Sequence, residues 1–217
     1  MSPEELDKLS KSDKGFTFLH NMALFTRDPK VIRDQLVAVL LAGRDTTAVT
    51  LSWAMFELSH YPQMWARLRT EVLEKVGPSR APTYEDLKGM SYLMHTVNET
   101  LRLYPAVPFN IRAALVDTTL PGRPGQPDIC LRAGETIIWS TMAMQRRKDL
   151  YPDVSPTFAD PSIFSPERWE NWTPKPWNYV PFNGGPRICV GQNFAITEIQ
   201  FVCKWRPSLS LSLAGVC

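Results

Sequence analysis

The chain has 217 residues, 44% of them apolar and 21% charged, with a formal net charge of +2. That composition excludes intrinsic disorder, and the near-balanced charge excludes a strong electrostatic pull toward nucleic acid. The longest apolar run, residues 36–42, is seven residues, far short of the ~20 a membrane helix needs.

Met1-Ser2-Pro3-Glu4-Glu5 is polar and acidic, so no leader peptide is expected. Residues 28–60 then read as one long helix. Pro29 suits a first helical turn, and Leu36, Val39, Leu40, Ala42, Val49, Leu51, Trp53, Ala54, Phe56 and Leu58 make it apolar over most of its circumference. Such a helix is expected at the centre of its domain, and about 30 residues give it roughly 45 Å. Pro62 opens a second helix, residues 62–76, closed by Gly77. Thr83 with Asp86 predicts a capping box for a short helix to Lys88. Residues 90–103 follow, with Met90, Leu93, Met94, Val97, Leu101 and Tyr104 in one stripe, and Pro105 stops them.

The chain changes character there: 14 of its 19 prolines lie from Pro105 onward. Residues 111–120 predict a strand, and residues 129–140 a hairpin about Ala133-Gly134. Residues 151–191 carry too many prolines and glycines for regular structure to persist. Residues 192–204 return to a helix, and residues 208–213 alternate Ser and Leu, a weak strand signal. Without repeats or linkers, the expectation is one domain, mainly α with small β-sheets (α+β). Cys130, Cys189, Cys203 and Cys217 show no CxxC spacing, and His20, His60 and His95 are scattered, which argues against a zinc knuckle or disulfide scaffold.

Three stretches carry chemistry. In Ala42-Gly43-Arg44-Asp45-Thr46-Thr47, glycine costs about 1 kcal/mol inside a helix, and Asp and Thr are poor helix formers. A threonine hydroxyl can bond the carbonyl one turn back and open space beside the helix. The stretch reads either as a proton-handling groove or as a packing glycine beside a solvated aspartate. Glu99 and Arg102 lie three apart, opposite the apolar stripe, and by default form an exposed ion pair of little worth. The third stretch, Phe182-Asn183-Gly184-Gly185-Pro186-Arg187-Ile188-Cys189-Val190-Gly191, delivers one cysteine from a glycine-rich loop just before a helix. A helix N-terminus stabilises thiolate. A nucleophilic Cys-His enzyme lacks its base, because no histidine follows His95. A single thiolate ligand for haem iron fits the loop better.

Phe182-x-x-Gly185-x-Arg187-x-Cys189-x-Gly191 resembles the haem-binding signature of the cytochrome P-450 monooxygenases. In the family's order, Ala42-Gly43-x-Asp45-Thr46 resembles its oxygen-activation segment and Glu99-x-x-Arg102 its helix pair. Pro166-Glu167-Arg168-Trp169 resembles the segment supplying the third member of a Glu-Arg-Arg triad. The resemblance implies an incomplete P-450 fold carrying haem b, with Cys189 as axial thiolate and metal ligand. It implies Arg187 and Arg112 on the propionates, Phe182 beside the sulfur, and Gly185 and Gly191 shaping the loop. Asp45 and Thr46 would relay protons during oxygen activation, and Glu99, Arg102 and Arg168 would form a buried triad bracing the loop. Cys130, Cys203 and Cys217 are expected to be ordinary small apolar residues. The run Arg146-Arg147-Lys148 reads as a solvated charge run, with an acidic redox partner as the alternative.

Leu41-Ala42-Gly43-Arg44-Asp45-Thr46-Thr47-Ala48, Asp117-Thr118-Thr119-Leu120-Pro121 and Arg146-Arg147-Lys148-Asp149 resemble fungal n-alkane and fatty-acid hydroxylases. That branch implies insertion of one oxygen atom of O2 into a hydrophobic aliphatic substrate. It also implies electrons from NADPH through NADPH-cytochrome P-450 reductase, and an endoplasmic reticulum membrane location for the full-length family. No nucleic-acid partner is expected, and membrane contact only through an N-terminal anchor that this chain lacks. Residues 1–27 read as a remnant, 28–203 as the haem-binding half of one domain, and 204–217 as an atypical tail. The rival expectation is a truncated, non-catalytic fragment without stable haem binding. A hydroperoxide-rearranging relative is a third reading, disfavoured by Asp45-Thr46.

Overall fold

The computed structural model describes residues 2–10 and 15–208. Contacts divide the chain into two units, Met1–Thr46 and Thr47–Cys217.

The first unit holds α1 (Pro3–Ser10), α2 (Phe18–Phe25) and the start of α3 (Pro29–His60). Neither α1 nor α2 is foreseen by the helix signals read above. α2 is capped reciprocally: the Thr17 hydroxyl accepts from the His20 N–H at 3.4 Å, and His20 Nδ1 accepts from the Thr17 N–H at 3.1 Å. Histidine here takes the place that glutamate or glutamine usually fills in a capping box. α3 opens where Asp28-Pro29 predicts, with Asp28 Oδ1 accepting the Lys30 N–H at 2.9 Å.

The second unit continues α3 and adds α4 (Pro62–Lys75), α5 (Tyr84–Lys88) and α6 (Ser91–Leu103). α3 is buried along a single stripe, Thr47, Thr50, Ala54, Glu57 and Leu58. Leu51 and Met55 are half-buried and pack against the core, whereas Val39, Leu40, Val49 and Phe56 are exposed. The expectation of burial on most sides is corrected to one stripe with a half-buried margin.

Leu58, Leu68, Val72, Leu87, Met90, Leu93, Val97 and Leu101 form the core, joined by Ile199 and Cys203 of the last helix. α6 is buried over most of its surface, its polar Thr96, Glu99, Thr100 and Arg102 included, with Met94, His95 and Asn98 half-buried along one side. Its N-cap Met90 offers no side-chain acceptor. Glu71 of α4 does that instead, taking the Tyr92 and Leu93 N–H groups at 2.9 and 2.8 Å.

β1 (Phe109–Ala113), β2 (Thr118–Leu120), β3 (Ile129–Leu131) and β4 (Thr136–Ser140) nest as one antiparallel ribbon. β1 pairs β4 from Phe109↔Ser140 to Ala113↔Thr136, and β2 pairs β3 from Thr118↔Leu131 to Leu120↔Ile129. The single strand expected over 111–120 is therefore two, and β3 and β4 do not pair with each other. Ala133-Gly134 is a hydrogen-bonded turn, Glu135 N–H donating to Arg132 O at 3.0 Å, but it joins β3 to β4 without pairing them as a hairpin. Gly134, at φ +87°, donates to Ala114 O, and Ala133 N–H reaches Asp117 Oδ1 at 2.8 Å. The hairpin turn falls at residues 121–128, where Gln126 N–H closes on Arg123 O at 2.8 Å.

α7 (Thr141–Met144), a 3-10 turn (Lys148–Leu150), α8 (Arg168–Asn171) and a second 3-10 turn (Gly185–Arg187) punctuate the proline-rich region. α9 (Gln192–Ser208) runs past its expected end at residue 204. The alternation over residues 208–213, Cys217 and the rest of the expected tail beyond Ser208 lie outside the described residues. Among the described residues no helix is long and apolar enough to cross a membrane.

The capping box of α5 gives a pH test. Arg80 hydrogen-bonds the Asp86 carboxylate at 2.6 Å, and the Thr83 backbone and hydroxyl do so at 2.7 and 2.8 Å. Those bonds, Arg80 first, hold its carboxyl well below the usual range. A lowered folded value contributes stability above the free carboxyl value of about 4. That contribution is lost as the pH falls further. Asp86→Asn is therefore expected to lower Tm at neutral pH and flatten its fall below about pH 4, read by thermal melts across that range.

Candidate functional site

Three local devices shape the loop carrying Cys189. Asn183 and Gly185 sit at φ +62° and +67°, turning the chain twice through the left-handed region. A Cβ at Gly184 would stand 2.4 Å from the Trp177 ring, so only glycine permits that approach. Cys189 N–H then donates to Phe182 O at 2.9 Å and closes the loop. Phe182 packs against the core cluster and anchors the near end. At the far end Gly191 O accepts the Ala195 N–H at 2.9 Å, the first bond of α9.

Cys189 is thus presented exposed, just ahead of a 17-residue helix. Ile188, Val190 and Arg187 are exposed beside it. A Cβ at Gly191 would stand 4.0 Å from the Cys189 Sγ, an ordinary contact distance. Arg112 lies on β1, its guanidinium 5.1 Å from the Trp139 ring centre and donating to Ile111 O at 2.7 Å. Its strand reaches the loop through Asn183 Nδ2, which donates to Asn110 Oδ1 at 3.2 Å. Asn110 and Arg112 share a strand face, because side chains alternate.

Glu99, Arg102 and Arg168 come together, with 0%, 0% and 2% of each residue exposed. Arg102 meets Glu99 bidentately at 2.8 Å on both oxygens, and Arg168 Nε lies 3.4 Å from Glu99 Oε1. The Ser165 N–H and the Trp169 indole N–H complete the carboxylate's shell, both at 2.9 Å. One carboxylate between two guanidiniums leaves excess positive charge, which backbone carbonyls absorb. Arg102 donates to Pro161 O and Ile163 O, and Arg168 to Ala159 O, Asp160 O and Ile163 O. Burial pulls Arg168 down from its ordinary pKa, and the neighbouring Arg102 cation adds to that pull against Glu99. For Arg102 the burial is outweighed by its hydrogen bonds and charge pairing with Glu99, which raise it. The exposed-ion-pair reading is corrected: these side chains are enclosed, because residues 159–169 fold over the polar side of α6.

The C-terminal carbonyls of α6 are capped by the segment after α7. Gln145, fully buried, donates from Nε2 to Leu101 O and Arg102 O, each at 3.1 Å. Arg146 donates to Leu103 O at 2.6 and 3.1 Å and lies over the Tyr104 ring. Arg147 pairs with Asp149 at 2.5 Å, and Lys148 with Asp160 at 2.9 Å. The run Arg146-Arg147-Lys148 is exposed, as a solvated charge run should be, while Arg146 also caps α6 and Arg147 and Lys148 make surface ion pairs. Sequence reasoning does not find Gln145, Arg146, Ser165 or Trp169. Only Trp169 carried a signal, its place beside Arg168.

Asp45 and Thr46 fall in the first unit. Thr46 Oγ1 donates to Ala42 O at 2.7 Å, the back-bond that the helix chemistry predicts. Asp45 is exposed and pairs with Arg44 at 2.7 Å. A Cβ at Gly43 would meet nothing within 4 Å, so no described residue packs closely against it. Of the other cysteines, Cys130 is exposed on β3, so its expected apolar burial is corrected. Cys203 is buried in the core, and that burial pushes its thiol up to about 12.

The Cytochrome P450 family model matches residues 12–205. The chain belongs to the cytochrome P450 family. It is 54% identical over 205 residues to "Cytochrome P450 monooxygenase pvhE" of Talaromyces variabilis, covering 93% of this chain and 38% of that protein. It is 45% identical to "Cytochrome P450 52A1" of Candida tropicalis, with 93% and 37% covered. To "Cytochrome P450 52A12" of Debaryomyces hansenii it is 46% identical, with 99% and 42% covered. The chain spans about two fifths of the length of these curated P450 relatives.

Membership of this family implies a haem. The donor set fits one: an exposed thiol at a helix N-terminus, flanked by apolar Ile188 and Val190 and by cationic Arg187. Among the described residues no three His, Cys, Asp or Glu side chains gather as a separate metal site.

Proposed function

We propose that this chain supplies the haem-thiolate half of a P450 monooxygenase acting on an aliphatic substrate, a fatty acid or n-alkane. The observation that carries the reading is the exposed Cys189 thiol in its closed loop ahead of α9. Residues 28–203 form that half of a single domain in this reading. Cys189 Sγ, presented ahead of α9, would hold the iron of haem b as a thiolate. Arg187 and Arg112 would hold its propionates, Phe182 packs at the loop's base, and Gly185 and Gly191 shape the loop. When bound, the haem supplies the reduction of O2 and the insertion of one oxygen atom into a C–H bond.

Phe109, Ile111 and Ile138 are exposed on the sheet that Asn110 ties to the loop, offering apolar contact to an aliphatic chain. Glu99, Arg102 and Arg168 brace residues 159–165 against α6. Electrons come from NADPH through NADPH-cytochrome P-450 reductase, at the endoplasmic reticulum membrane where the full-length protein resides. Asp45, open to solvent, and Thr46 form the proton-handling pair in this reading. Thr46 Oγ1 donates to Ala42 O at 2.7 Å, and would leave that back-bond to donate its proton onward while taking up another in return. Thr46→Ala is expected to keep haem and substrate binding while product formed per oxygen consumed falls about tenfold or more. Unchanged coupling in that variant removes the relay.

The test is haem uptake by the chain, followed by the carbon monoxide difference spectrum of its reduced form. A thiolate-type band is the expected result. Failure to take up haem favours the non-catalytic fragment.

A further inference from the structure

Gln145 holds three backbone groups from two distant parts of the second unit. Its Nε2 donates to Leu101 O and Arg102 O at 3.1 Å, on the last turn of α6 beside the Glu99–Arg102 pair. Its Oε1 accepts the Val180 N–H at 2.9 Å. Val180 is the entry to the cysteine loop: its own carbonyl accepts the Asn183 N–H at 3.1 Å, and Phe182, two residues on, accepts the Cys189 N–H. The Tyr151 hydroxyl, which also receives Arg102 Nη1 at 3.4 Å, donates to the Gln145 carbonyl. Both ends of the amide are used, and of the neutral side chains only the carboxamides of Gln and the shorter Asn offer two N–H donors beside an acceptor oxygen.

We propose that Gln145 is a positioning residue that couples the buried ion cluster of α6 to the loop presenting Cys189. The proposal rests on the haem-thiolate reading for its consequence, and on the three hydrogen bonds alone for the coupling. The side chain is fully buried, so removing the amide leaves two carbonyls and one N–H without water to replace it. The loop's entry is then tied to α6 through one connection fewer: the Tyr179 hydroxyl still reaches Asn98 O and Oδ1, each at 3.2 Å. The sulfur is therefore expected to lose its fixed position while the fold persists.

The test is amide hydrogen exchange of Gln145→Met and Gln145→Glu in the 217-residue chain. Gln145→Met conserves volume and removes all three bonds. Gln145→Glu keeps an acceptor for Val180 N–H but sets a carboxylate against two carbonyls. In Gln145→Met, exchange over residues 180–189 is expected to rise about tenfold or more relative to α4. Gln145→Glu should fall between wild type and Gln145→Met at Val180, a partial rescue that a purely space-filling role does not produce. If Gln145→Met fails to fold, Gln145→Glu alone decides by the same loop-to-α4 ratio. Equal acceleration in α4 and the loop, or none in either, overturns the proposal. In haem-loaded protein the same variants should convert part of the thiolate-type carbon monoxide band to the thiol-ligated type. Absence of haem uptake by wild type would defeat the functional reading and leave the exchange result to judge the coupling.

Discussion

Glu99→Ala is expected to cost roughly 3–5 kcal/mol of a total stability of about 5–15 kcal/mol, and most of the bound haem with it. The magnitude follows from the side chain's surroundings. Its two oxygens accept from Arg102 twice, Arg168, the Ser165 N–H and the Trp169 indole, all out of water. Truncation leaves two guanidiniums facing each other without an anion, and the carbonyls of residues 159–163 alone do not neutralise them. Denaturant unfolding and haem content per chain measure the loss. Normal stability with full haem content would return the pair to a marginal surface-like role and remove the brace.

Cys189→Ser is expected to abolish any thiolate-type carbon monoxide band, whereas Cys130→Ser, Cys203→Ser and Cys217→Ser retain it. Cys130 lies exposed on β3, and the buried Cys203 thiol is pushed up to about 12, a poor source of thiolate. Among the described cysteines only Cys189 combines exposure, a closed glycine-rich loop and a following helix. Serine fits the same space, so melting should shift little while the spectrum changes completely. A thiolate-type band surviving in Cys189→Ser would move the ligand elsewhere.

What was legible in the sequence is local. Asp28-Pro29, Pro62, and Thr83 with Asp86 set helix starts through bonds spanning two to four residues, and the structure places α3, α4 and α5 there. The cysteine loop was legible because its signature is contiguous. The turn at Ala133-Gly134 is legible, but the strands it joins pair with residues 109–120 and not with each other, which the local sequence does not encode. The burial of Glu99 does not show in helical spacing alone, and only the resemblance implies it. Helical spacing puts it opposite the apolar stripe, and the residues that enclose it, Ser165 and Trp169, lie 66 and 70 residues away. Gln145 follows no motif. Its role exists only where α6 and residue 180 converge.

X-ray absorption at the iron edge of the haem-loaded chain tests the central claim most directly, because it reports the ligand atom itself. The account predicts one sulfur scatterer in wild type that disappears in Cys189→Ser. A first shell of nitrogen and oxygen only in wild type, or a sulfur that persists in Cys189→Ser, would contradict it.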